Sequence, residues 1–66
     1  MSPEEMHIAH DIAREFHETY ERLAPSYGYE TRKESAVPWE DVPEQNKSLM
    51  VGVVADLLDR RVIQPK

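Results

Sequence analysis

Seven side chains in this sequence have the right types to hold a planar, charged molecule. Tyr20, Tyr29 and Trp39 can form a stacking surface, and a guanidinium from Arg32 or Arg14 can reach a phosphate attached to the stacked ring. Asn46 can read a base edge or a ribose. It lies near the start of a predicted second helix whose free N–H groups suit an anion, although Asp41 and Glu44 compete for them. His17 sits beside Phe16 and one turn before Tyr20. It reads either as a ligand contact or as a core-edge histidine whose ring hydrogen-bonds a loop carbonyl. Trp39 has the same two faces: a stacking platform, or a hydrophobic plug placed before the second helix.

Other chemistries find less support. Glu4-x-x-His7 has the spacing of di-iron bundle ligands, with His10 and Asp11 close by, but the second helix offers only Asp56 and Asp59 late in its course. Exposed first-turn histidines are the simpler reading, and no metal site is expected. Ser26, Ser35 and Ser48 have no nucleophile-elbow context and no histidine nearby. Gly28 and Gly52 are the only glycines, so there is no glycine-rich phosphate loop. Neither an enzyme nor a bound cofactor is expected.

Two helices and a loop must position these residues. The first helix is predicted over 3–23. Ser2 can cap it, Pro3 suits its first position, and Glu5 completes a capping box. Ile8, Ile12, Phe16, Tyr20 and Leu23 recur at helical spacing with Ala9 and Ala13 alongside, and Pro25 ends the run. Residues 25–41 show no helical period, and their aromatic content predicts an ordered loop packed on the helices or on a ligand. The second helix is predicted over 42–60, with Asp41 and Glu44 as another capping box. Leu49, Met50, Val53, Val54, Leu57 and Leu58 give it a broad apolar face. Gly52 within that helix costs roughly 1 kcal/mol against alanine, which points to a close neighbour at its backbone. The tail 61–66 is expected to be extended, folding back or pairing with a neighbouring chain.

Composition narrows the class. At 66 residues the chain is a single domain, 1–66, with 39% hydrophobic residues and no cysteine for a disulfide or a thiolate metal site. Chains this short bury only about 60% of their unfolded surface. Two helices of this size expose more apolar surface than they can cover mutually, so a homo-oligomer is expected through Leu49, Met50, Val53, Val54 and Leu57. Eight basic residues against thirteen acidic give a net charge of −5, which lacks the cationic footprint of a duplex-binding protein. The acids concentrate in residues 1–24, while 48–66 carries a slight positive excess; solvated helix faces explain this as simply as a contact between the two segments. No apolar run is long enough for a membrane span, and the acidic start lacks the regions of a signal peptide, so a cytoplasmic chain is expected.

One family is similar along most of the length. His17-Glu18-Thr19-Tyr20, then Gly28-Tyr29 with Arg32 following, then Val37-Pro38-Trp39-Glu40-Asp41-Val42-Pro43-Glu44, resembles a ryanodine-receptor repeat. Ala55 to Ile63 resembles that family's leucine-rich helix and short apolar exit, and the likeness covers about residues 9–63. Short proteins of bacterial viruses and their hosts are similar too. The resemblance implies a small helical, non-catalytic module that holds an adenine nucleotide between aromatic residues. By position it makes Tyr20, Tyr29 and Trp39 the aromatic positions and Arg32 the arginine. Tyrosine stands where the family usually has tryptophan at the first two positions, and the stretch between Gly28 and Pro38 is short. The expectation is therefore an oligomeric, all-α two-helix mini-domain with a long ordered aromatic loop, binding a nucleotide-like ligand. In a virus it would act as a sponge for a host defence signal, an ADP-ribose derivative or a cyclic nucleotide. The alternative is a small acidic adaptor or inhibitor that docks on a host protein through its apolar helix face.

Overall fold

A computed structural model describes residues 2–33 and 36–64. The architecture is all-α: helix α1 (Pro3–Leu23), a 3₁₀ turn (Ala24–Tyr27), a second 3₁₀ turn (Trp39–Asp41), and helix α2 (Glu44–Asp59), with no strand among the described residues. The described part of the aromatic loop lies between the helices and contains these two turns. Ser35 lies outside the described residues, as do Pro65 and Lys66 of the predicted tail.

α1 starts where its capping chemistry dictates. The Ser2 hydroxyl accepts a hydrogen bond from the Glu5 N–H at 3.2 Å, and the Glu5 carboxylate accepts one from the Ser2 N–H at 3.5 Å. Two of the helix's orphan N–H donors are thereby satisfied reciprocally. At its other end the chain passes into the first 3₁₀ turn and stops in a Schellman closure. The Gly28 N–H donates to Pro25 O and the Tyr29 N–H to Ala24 O, both at 3.0 Å, with Gly28 at φ 72°. Glycine suits this left-handed position because it has no Cβ to clash there.

α2 begins two residues later than the spacing predicts, and the Asp41–Glu44 capping box does not form. Asp41 is instead drawn into the second 3₁₀ turn, where its N–H donates to Pro38 O at 2.9 Å and the Val42 N–H donates to Trp39 O at 3.2 Å. Val42 is then extended, as a residue before proline tends to be. Pro43 takes the cap position without a side-chain cap, and the Lys47 N–H donates to its carbonyl at 3.0 Å. α2 ends in a second Schellman closure, from the Val62 N–H to Leu57 O (2.9 Å) and from the Arg61 N–H to Leu58 O (3.1 Å). Arg61 holds the left-handed position at φ 60° without being a glycine. The tail is consequently not a straight extended run. It turns at Arg61, and Ile63 folds back against the core.

The core is built from small residues. Ala9 and Ala13 of α1 are fully buried and cluster with Val54 and Ala55 of α2, with Trp39 and Val42 also in the cluster. Ile12, Val37, Met50, Val51, Leu58 and Ile63 pack around it. Alanines let two helices approach closely, but they bury little apolar area, so the loop's Trp39 supplies much of the bulk. The body measures 36 × 23 × 15 Å. Its two helices pack against each other and so form a single helical layer. The loop covers one side of that layer.

Two expectations about α2 need correction. Val54 is buried in the core and so does not belong to a free oligomer face, and Met50 is half-buried against that core. Leu57 is half-buried, and only Leu49 and Val53, 65% and 50% accessible, remain exposed. The broad apolar stripe has part of its width turned into the molecule's own core. Gly52 has no close neighbour: it is exposed, and a Cβ there would meet open space. No helix among the described residues is long and apolar enough to cross a membrane.

Candidate functional site

Trp39 is 3% accessible. The His10 ring meets it edge-on at 5.6 Å between centroids, His17 lies at 5.8 Å tilted by 56°, and the Lys47 ammonium stands 5.8 Å over the indole. No face remains on which a ligand could stack, so Trp39 is the core plug rather than a platform. His17 is buried beside it and donates from Nε2 to Val37 O at 2.7 Å, a bond that fastens the loop to α1. Arg14 is on this same side of the layer. Its Nη2 lies 3.3 Å from a Glu40 carboxylate oxygen and its Nε 3.7 Å from Glu18, bracing α1 against the second 3₁₀ turn. Asn46 is half-buried in the first turn of α2 and lines none of the clefts around the tyrosines.

The other candidates converge. Tyr20, Tyr29, Arg32 and one edge of His17 line a cleft of about 240 Å³ with Phe16, Glu21, Thr31 and Met50. Tyr20 and Tyr29 meet edge-to-face, 6.3 Å apart at 81°, while Phe16 stacks on Tyr20 at 5.9 Å and 25°. The Thr31 hydroxyl donates to the Glu21 carboxylate at 2.6 Å and ties this part of the loop to α1. Desolvation, and then the neighbouring Tyr29, holds the Tyr20 phenol above its ordinary pKa of 10.0. The phenol therefore remains a neutral donor and acceptor throughout the ordinary pH range.

This cleft opens onto a larger apolar groove of about 740 Å³ that shares Phe16, Tyr20 and Tyr29 and continues along Ile12, Leu23 and Tyr27. Phe16 is 60% accessible and Tyr27 83%. Neither figures among the seven candidates, because the periodicity assigns Phe16 to the inward stripe and gives Tyr27 no role. The missed signal is a doubling of the stripe. Ile8, Ile12 and Phe16 each precede a smaller or polar neighbour, Ala9, Ala13 and His17. The two rows run side by side on the helix, and the inner row is the small one. A third cavity, of about 970 Å³ under the loop, is lined by Glu18, Glu21 and Glu30 along with His17 and backbone-rich turns. Its carboxylates disfavour an anionic guest.

Among the described residues no set of three His, Asp or Glu side chains converges as a metal-binding group. Beside the Glu4-x-x-His7 spacing, His10 and Asp11 approach each other only to 4.0 Å. What the described surface offers is an aromatic face with a narrow polar corner at Tyr20, Tyr29 and Arg32. No family model, curated protein or solved structure matches this chain.

Proposed function

We propose that the chain is a non-catalytic interaction module that binds a protein through the face formed by Ile12, Phe16, Tyr20, Leu23, Tyr27 and Tyr29. The observation that supports this reading is an inversion of size. The buried hydrophobic set is four alanines, two valines and Trp39, while Phe16, Tyr20, Leu23, Tyr27, Tyr29, Leu49 and Val53 stand exposed. Protein-binding surfaces are enriched in aromatic residues that would otherwise sit in water at a cost. This is the adaptor reading of the sequence, moved from the Leu49–Leu58 face to the α1 side. A cytoplasmic location belongs to the same proposal.

A nucleotide-like ligand is the second reading, favoured by the meeting of Tyr20, Tyr29 and Arg32 in one cleft. In this reading the chain is a ryanodine-receptor-repeat relative and, in an infected bacterium, a sponge for an immune nucleotide signal. It ranks second for four reasons. Trp39 offers no stacking face and Arg14 is engaged with Glu40. The cleft also carries Glu21 and is smaller than the roughly 300–1,000 Å³ that ligand pockets usually enclose.

A photoreactive phenylalanine analogue at Phe16, with a control at Glu4, separates the two. The interaction reading expects a discrete crosslinked protein, whether a second copy or another chain, from Phe16 and none from Glu4. No protein crosslink at Phe16, combined with a melting shift of several degrees on adding adenine nucleotides or ADP-ribose derivatives, would replace it with the nucleotide reading.

A further inference from the structure

We infer that the partner seated on the aromatic face is a second copy of this chain, paired antiparallel along α1; the inference rests on the proposal that this face is the working surface. The first argument is area. The chain exposes 5361 Å², against ~4,300 Å² expected of a compact monomer of 7.7 kDa. The difference of about 1,000 Å² is close to the ~800 Å² that each partner contributes to a standard interface. The radius of gyration agrees, at 12.5 Å against ~11 Å for a compact domain of this length. A single helical layer lacks the second layer that a stable domain packs against, and another copy supplies one of matching dimensions.

The second argument is register and charge. Ile12, Phe16, Thr19 and Leu23 follow one another at spacings of four, three and four, the alternation that forms a helix–helix seam. Beside this seam, on the edge turned away from the α2 contact, lie Glu15 and Arg22, seven residues apart and so two turns along the same edge. Both are exposed, and neither forms an ion pair among the described residues. An antiparallel second copy sets Ile12 against Leu23 and Phe16 against Thr19. The same two-fold axis places Glu15 of each copy beside Arg22 of the other, so the opposite charges meet twice. Leu49 and Val53, beside Met50 on α2, extend the apolar surface toward the new layer. The chain's overall charge of −5 opposes self-association in general, which makes the reciprocal pairs a determinant of register.

Sedimentation equilibrium across a concentration series tests this, with circular dichroism to check that each variant keeps its helices. The wild-type chain is expected to dimerise, and Phe16→Glu to abolish the dimer. Glu15→Arg or Arg22→Glu alone faces like charges and should weaken dimerisation roughly ten-fold. The double exchange E15R/R22E should return it to near the wild-type constant, a rescue that a purely structural role would not produce. A monomer at every concentration would overturn the inference, and so would a dimer indifferent to Phe16→Glu and to both charge exchanges. In either case a photocrosslink from Phe16 to a different protein would leave the interaction reading standing.

Discussion

Trp39 and Tyr27 occupy the same loop and are both aromatic, yet their environments separate them. Trp39 is enclosed by His10, His17 and Lys47, whereas Tyr27 is 83% accessible. Trp39→Ala should therefore cost about 3–5 kcal/mol of stability in a denaturant titration, the usual penalty for emptying an aromatic core site. Tyr27→Ser should stay within about 0.5 kcal/mol of the wild-type chain under dilute conditions. The tyrosine pair adds a pH dependence. Because the folded Tyr20 phenol titrates above its ordinary value of 10.0, the unfolded chain gives up that proton first. Its contribution to stability is complete below about pH 10 and is lost as the pH rises through the folded pKa. Tyr20→Phe should flatten the alkaline fall in melting temperature, and an unchanged fall would assign it to other groups. At this scale the sequence was informative where chemistry is local. A histidine one turn before Tyr20 could be foreseen as a core-edge donor. The plug was the favoured of the two roles open to Trp39, but spacing alone could not decide between them. The burial of Trp39 depends on the tertiary approach of His10 and Lys47, which no short spacing encodes.

The helix ends show which local signals prevail. Ser2, Pro3 and Glu5 define the start of α1 because no other structure competes for those groups. Asp41 and Glu44 carry the same pattern, but the Pro38–Val42 turn claims Asp41 first, and the second cap is lost. The glycines divide in the same way. Gly28 stands at φ 72° in a Schellman closure, while Gly52 lies in a regular helix facing open space. Gly28→Ala should accordingly destabilise by about 1 kcal/mol, since the left-handed backbone strains a Cβ. Gly52→Ala should stabilise by up to about 1 kcal/mol, through helix propensity alone. Thermal melts of the two variants in dilute solution give shifts of opposite sign if this assignment holds. A destabilising Gly52→Ala would show that the monomer needs the close backbone approach that its sequence position suggests.

Taken whole, the molecule is one helical layer with a loop over one side and aromatic side chains on another surface. The all-α, two-helix class was legible because both apolar periods are helical, Pro25 ends the first, and the stretch that follows has turn residues and no helical period. The inward side of α1 was not legible, because a row of large residues and a row of small ones run one residue apart. Close packing selects the small row, Ala9 and Ala13, which displaces Phe16 outward. That displacement underlies the functional proposal, and side-chain footprinting with hydroxyl radicals on the dilute chain tests it most directly. The account predicts rapid oxidation of Phe16 and Tyr27 and strong protection of Trp39, an intrinsically reactive side chain. Oxidation of Trp39 as fast as that of Tyr27, or protection of Phe16 in the dilute monomer, would contradict it.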